Sequence, residues 1–122
     1  MGVYVSVRGW LECDEPQLAT VQEIIAAHDD GLHYTHCWGA PRRHVNWTYY
    51  VFFGGDIRDS ALGWFTAQIE EIARIPASDD DGDRVRGLFL VSHEVDGMTE
   101  WQIRDGRLFV TPADARYRYL DD

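Results

Sequence analysis

The sequence predicts an α+β domain in which two helices pack on a mainly antiparallel sheet. Residues 3–11 alternate between apolar and polar side chains, "DEPQL" has the signals that begin a helix, and Asp-Gly pairs at 96–97 and 105–106 separate apolar segments as hairpin turns do. A chain of 122 residues has the size of one domain, so we expect a single domain over 1–122.

The first strand and the first helix follow from local sequence. Valines alternate with polar and aromatic residues over 3–11, which is the period of a half-buried strand. Asp14 is a good N-cap, Gln17 completes a capping box, and Pro16 fits the first helical turn. Apolar residues then keep helical spacing as far as His28, where we expect the helix to end.

The rest of the chain predicts a second helix and five more strands. The helix covers 60–75, is capped by Asp59 or Ser60, and is ended by Pro76. The order of elements is β-α-β-β-α-β, the ferredoxin-like order, followed by C-terminal hairpin strands on the same sheet. It predicts a two-layer sandwich with both helices on one face. The predicted strands are 32–38, 46–53 (ended by "GGD" at 54–56), 85–95, 98–104 and 107–111.

The charge of the chain predicts what kind of partner it binds. Twenty-one acids against eleven bases, all of them arginine, give a formal net charge of −10. A surface this acidic repels nucleic acid and anionic membranes, so neither is expected as a partner, and it attracts a basic protein. The alternative is that the acidity serves only to keep the protein dissolved.

The sequence predicts a cytoplasmic protein without a cofactor. No apolar segment approaches the length of a membrane span, and the first residues do not resemble a signal peptide. Two cysteines do not make a disulfide framework, so both are expected to be reduced. The "GGD" turn lacks the spacing of phosphate-binding glycine motifs, and the acidic loop at 79–83 fails the EF-hand pattern.

Residues 33–44, "HYTHCWGAPRRH", combine histidine, cysteine and arginine, which raises the question of a metal site. If this stretch is a strand, His33 and Cys37 lie on one side of it, and His28 and Cys13 are the nearest candidates for further ligands. A metal site of these four residues is the weaker alternative. The favoured interpretation is a strand edge and its loop, with His28 at a helix end.

The same stretch also predicts a binding patch. Tyr34, Trp38 and Trp47 flank Arg42 and Arg43, the one adjacent basic pair in the sequence. Tryptophan and tyrosine are enriched at interfaces, so the group indicates a surface that binds an anion or a protein. The alternative is that the tryptophans fill the space between helices and sheet.

The sequence leads to a non-enzymatic, acidic protein-binding module, of immunity or inhibitor type, that recognises a basic partner surface. The sequence contains no motif that pairs a nucleophile with a general base, so it does not argue for an enzyme. The competing hypothesis is a small-molecule binder or small enzyme with a pocket between sheet and helices near His93, Trp64 and Trp101. A homodimer that pairs through a sheet edge, or through the tail around Tyr117 and Tyr119, is left open.

Overall fold

A computed structural model describes residues 2–29, 31, 33–43 and 47–121 of the chain. In this part the protein has two α-helices, six strands and three short 3-10 segments. Their order is β1 (Tyr4–Cys13), α1 (Glu15–Ala27), a first 3-10 helix (His33–Cys37), β2 (Arg42–Arg43), β3 (Tyr49–Arg58), a 3-10 turn (Asp59–Ala61), α2 (Leu62–Ala73), β4 (Arg86–His93), β5 (Gly97–Arg104), β6 (Arg107–Pro112) and a C-terminal 3-10 helix (Ala115–Asp121).

The strands form one antiparallel sheet in the order β2-β3-β1-β4-β5-β6. Five of the strands are long, and β2 adds two residues at one edge. The central strand is β1, where Val7 lies opposite Gly55 of β3 and Val91 of β4. The prediction of a small α+β domain with an antiparallel sheet is therefore confirmed.

Both helices bury their apolar sides against one face of this sheet. Alternate residues of β1, among them Val5, Val7 and Leu11, are fully buried there. Phe65 of α2 is the centre of the core, because its ring centroid lies 4.8 Å from that of Phe53, 5.3 Å from Phe89 and 5.7 Å from Trp101. Burying one such ring contributes about 2–3 kcal/mol to stability.

The capping box of α1 is present, and the predicted cap of α2 is wrong. The backbone N–H of Gln17 donates to the side chain of Asp14, and the Asp14 N–H donates to the side chain of Gln17. Before α2, however, the N-cap is Ala61, without a side-chain hydrogen bond. Asp59 instead accepts a hydrogen bond from His93, 2.8 Å away, so its carboxylate is used to join β4 to this turn.

The strand predicted over 32–38 is also wrong, because residues His33–Cys37 form a 3-10 helix. Leu32, where that prediction began, lies outside the described residues. Tyr34, Cys37 and Trp38 all pack toward the core, at the spacing of three and four residues that one face of a helix has. A strand would have turned Cys37 and Trp38 to opposite sides. Trp38 makes an isolated bridge to Phe53.

The "GGD" segment does not end β3, contrary to the prediction. Asn46, where that strand was expected to begin, lies outside the described residues; β3 runs from Tyr49 through both glycines to Arg58. A Cβ on Gly55 would lie 2.5 Å from the sulfur of Cys37, whereas one on Gly54 would meet nothing within 4 Å. The glycine at 55 is therefore needed because the first 3-10 helix crosses the sheet at that point.

The face of the sheet opposite the helices, here called the open face, is covered only in part within the described residues. Polar, charged and aromatic side chains alternate with the core residues along each strand, for example Trp10 of β1 and Phe52 of β3, which lie opposite each other. The C-terminal 3-10 helix lies on this face, where Nη2 of Arg8 donates to the carbonyl of Leu120 at 3.2 Å. Ser92 donates to the carboxylate of Asp121.

Candidate functional site

A groove lies where β1 ends, α1 begins and the loop before β4 returns to the sheet. It encloses about 370 Å³. We call it the acidic groove, because five of the residues that line it are carboxylates: Glu12, Asp14, Asp79, Asp81 and Asp83. Trp47, Thr48, Cys13, Gln17, Arg84 and Arg86 complete its lining.

Gln17 fixes the shape of the acidic groove. This side chain is 3% exposed, and besides closing the capping box it donates to the carbonyl of Asp83 at 2.9 Å and to that of Pro76 at 3.4 Å. The hydroxyl of Ser78 donates to Asp14. The loop that carries three of the five carboxylates is thus attached to the first turn of α1 at both of its ends, which holds it in one position.

The charge of the acidic groove is negative after its own ion pairs are counted. Nη2 of Arg86 lies 3.2 Å from Glu12, and Arg84 is the other cation of the lining. Within the loop, a carboxylate oxygen of Asp79 accepts from the N–H of Asp81 at 3.1 Å, an ordinary turn contact. Three more carboxylates than guanidinium groups therefore line the groove, an arrangement that attracts a cation.

Trp47 gives the acidic groove an apolar wall that faces solvent. Its side chain is 75% exposed, and its backbone has a φ of +65°, in the left-handed region that non-glycine residues rarely adopt. An exposed indole next to carboxylates can hold a cationic side chain by two means, because the ring face attracts the cation and the carboxylates pair with it.

The lining of the acidic groove does not favour covalent chemistry. Its thiol belongs to Cys13, and burial, with a further contribution from the negative charge of Asp14, raises the pKa of that thiol to about 12. The thiolate is therefore scarce at neutral pH, and a thiol is a poor nucleophile. The described lining contains no histidine to act as its base. The groove is suited to binding.

The structure separates the residues of the predicted patch. Trp38 is 8% exposed, stacks near Phe65 and donates to Gln68 at 3.3 Å, so it is a core residue and not part of a surface. Tyr34 packs on Trp64, with 6.3 Å between ring centroids, and its hydroxyl accepts from the N–H of Arg58.

The remaining three residues of that patch have different positions. Trp47 lies in the acidic groove, as described above. Arg42 is exposed and pairs with Tyr50, at the edge of the open face. The backbone of Arg43 belongs to β2, and its side chain lies outside what the structure describes.

His93 lines a second cavity, of about 610 Å³, at the end of the open face. Its Nδ1 accepts from the N–H groups of Val95 and Asp96, each at 3.1 Å, so Nε2 carries the proton and donates to Asp59 at 2.8 Å. Both ring nitrogens are occupied by structural contacts. This leaves neither of them free to act as a base toward a ligand.

The predicted pocket around His93, Trp64 and Trp101 is not formed as a unit by those three residues. Trp101 is 5% exposed and packs on Phe65, between sheet and helix. Trp64 donates to the carbonyl of His28 at 2.7 Å and packs on Tyr34. Neither tryptophan lines the cavity that contains His93.

The candidate metal ligands are not brought together either. Cys13 ends β1, whereas Cys37 contacts Gly55, which lies opposite Val7; six residues of strand, about 20 Å, separate the two positions. His28 pairs with Glu71 at 2.8 Å, and the side chain of His33 lies outside the described residues. Among the residues that the structure describes, no three or more His, Cys, Asp or Glu side chains form a group that could hold a metal ion.

The sequence alone does not predict the acidic groove as a unit. It indicates that the clustered acids at 79–83, such as Asp79 and Asp81, attract a basic partner, but it places Trp47 in a different patch, beside Arg42 and Arg43. The signal that could have found the groove is the polar, buried Gln17, because a capping-box glutamine with a free amide can also attach a distant loop.

Within the described residues, neither α-helix is long and apolar enough to cross a bilayer.

Comparison of the chain with protein-family models, with curated proteins and with solved structures found no match.

Proposed function

We propose that this protein is a non-enzymatic binding module of immunity or inhibitor type, and that its acidic groove recognises a basic side chain on the surface of a partner protein. The observation that carries the proposal is one groove lined by five carboxylates and by a tryptophan that is 75% exposed. A guanidinium or ammonium group inserted there would meet carboxylate oxygens and an indole face together.

The rigidity of the acidic groove supports a role in recognition. Because Gln17 and Ser78 attach the loop to α1, its carboxylates need little ordering when a partner binds. The net charge of −10 would also speed the encounter with a cationic protein, and it would disfavour nucleic acid in the groove. A cytoplasmic location, with both thiols reduced, is part of the same proposal.

We also propose that the fold is ferredoxin-like, with β5 and β6 added at one edge. The strand order β2-β3-β1-β4 and the placement of one helix after β1 and one after β3 support this assignment. In that arrangement the acidic groove lies at one end of the central strand.

A labelled nona-arginine peptide tests the proposed function by fluorescence anisotropy. Asp81→Arg with Asp83→Arg should weaken its binding about tenfold, because the groove loses two carboxylates and gains two cations. The matched control is Glu23→Arg with Glu70→Arg, two exposed helix residues whose substitution makes the same change in net charge.

The comparison between these two variants decides the proposal. Binding that falls by less than about threefold in the control supports a specific groove, and Trp47→Ala should then also weaken it several-fold. If both double variants lose the same affinity, the peptide responds only to net charge, and the groove is not the binding site.

A further inference from the structure

The open face of the sheet has a charge opposite to that of the whole chain. Six of the eleven arginines occupy strand positions on this face, against three acids, Glu12, Asp56 and Glu100. The chain as a whole has a formal net charge of −10, so its cations are concentrated on one side. The six arginines are Arg8, Arg42, Arg58, Arg86, Arg104 and Arg107.

Aromatic side chains lie among these arginines. Phe52 is 44% exposed and stacks with Tyr50, with 6.2 Å between ring centroids. Trp10 lies opposite Phe52 on the next strand. At the other edge the guanidinium groups of Arg104 and Arg107 lie 4.2 Å and 4.8 Å from the ring centre of Phe109. A basic face with exposed aromatic rings is typical of a surface that binds a partner.

The C-terminal 3-10 helix shows which chemistry this face accepts. It brings a carboxylate, that of Asp121, to Ser92, and a backbone carbonyl, that of Leu120, to Nη2 of Arg8. The occupant of this part of the face is therefore a polypeptide segment that offers oxygen acceptors.

This internal occupant leaves Arg8 incompletely bonded. Nη1 of Arg8 is buried and has no hydrogen-bond partner among the described residues. A guanidinium group donates two parallel hydrogen bonds to a carboxylate but only one here to the Leu120 carbonyl. A carboxylate at that position would satisfy both nitrogens, so an acidic segment would be a better ligand for Arg8 than the tail.

We propose that the open face is a second interaction surface, which binds an acidic segment of a partner protein in place of the C-terminal 3-10 helix. The central contact is Arg8 with a carboxylate of the partner. Arg42 and Arg86 flank it toward one end of the sheet, and the apolar side chains of Trp10 and Phe52 provide contact area. This surface is opposite in sign to the acidic groove and meets it at Glu12 and Arg86, which belong to both. Arg42 does not line the groove, and Asp81 and Asp83 do not lie on the strands, so variants at these positions test the two proposals independently.

The probe for this proposal is a fluorescein-labelled random copolymer of glutamate and tyrosine, measured against the full chain by anisotropy. Arg42→Glu should weaken binding at least about fivefold, because it reverses a charge beside the half-buried Tyr50, which stacks with the exposed Phe52. Arg74→Glu makes the same charge change at the end of α2 and should weaken binding by less than about twofold. Phe52→Ala should weaken it about threefold without any change in charge.

Four results would overturn the proposal. The first is that the wild-type protein does not bind the copolymer, and the second is that Arg42→Glu and Arg74→Glu lose equal affinity. The third is that single-stranded oligothymidine binds this face more tightly than the copolymer, which would make it a nucleic-acid surface. The fourth is self-association in sedimentation that Arg42→Glu abolishes, because the occupant would then be a second copy of the chain.

Discussion

The two faces of the sheet come from the same strands but have opposite properties. On the helix-covered face, Val5, Val7 and Phe89 are fully buried. On the open face their immediate neighbours include Arg8, which has polar contacts, and the partly exposed Leu88. One residue along a strand therefore separates a side chain of the core from one on the opposite face of the sheet. We expect stability to depend on the covered face and binding on the open face and the groove.

The largest expected difference in stability is between two phenylalanines. Phe65→Ala should lower the free energy of unfolding by about 3–5 kcal/mol, because a fully buried ring leaves a cavity among Phe53, Phe89 and Trp101. Phe52→Ala on the open face should cost less than about 1 kcal/mol, since 44% of that residue is already exposed. Urea unfolding measures both. Equal costs would mean that the open face is itself part of a core.

A smaller difference in stability is expected between two adjacent glycines of β3, because a Cβ at each would point to a different face of the sheet. Gly55→Ala should cost about 1–3 kcal/mol, since the added methyl would lie 2.5 Å from the sulfur of Cys37. Gly54→Ala, directed to the open face where nothing lies within 4 Å, should be neutral or stabilising. Urea unfolding of the two variants gives this difference. A Gly55→Ala variant as stable as the wild type would show that the first 3-10 helix does not pack on β3.

The covered face also predicts how stability changes at high pH. Burial and then Asp14 raise the pKa of the Cys13 thiol from 9.0 to about 12, so the unfolded chain ionises this group before the folded protein does. The buried neutral thiol makes its full contribution to the free energy of unfolding below pH 9. Above that value the free energy of unfolding falls by about 1.4 kcal/mol per pH unit. Urea unfolding at pH 8.5 and 10 measures the loss.

The control for this experiment is Cys13→Ala. It lacks the thiol and should show a flatter dependence on pH over the same range, whatever it loses in packing. If the wild type and Cys13→Ala have parallel profiles, the thiol does not titrate abnormally.

The sequence predicted local structure well where a short motif determines the backbone conformation. The capping box of Asp14 and Gln17 and both Asp-Gly hairpins, where Gly97 and Gly106 have positive φ, are present in the structure. The prediction failed at residues 32–38, where the local pattern resembled a strand but the three inward side chains needed helical spacing. The 3-10 helix can pack there because residue 55 is a glycine. Gly55 lies eighteen positions beyond Cys37, so the sequence close to residues 33–37 does not reveal this contact.

The candidate sites were less accessible from the sequence than the fold. Trp47 and the acidic loop are more than thirty positions apart, and they line one groove because Gln17 attaches the loop to α1. The six arginines of the open face are placed together only by the strand register. Total charge predicted an acidic protein but could not show that its cations lie on one face.

The two proposed binding surfaces have opposite sign and share Glu12 and Arg86, yet each should bind its own probe. To test this, the Asp81→Arg, Asp83→Arg variant and the Arg42→Glu variant are each titrated with both probes, nona-arginine and the glutamate–tyrosine copolymer. We predict that the first variant loses affinity for nona-arginine without losing affinity for the copolymer, and that Arg42→Glu loses affinity for the copolymer without losing affinity for nona-arginine. Loss of affinity for both probes in either variant would contradict this prediction, because the two surfaces would then not bind independently.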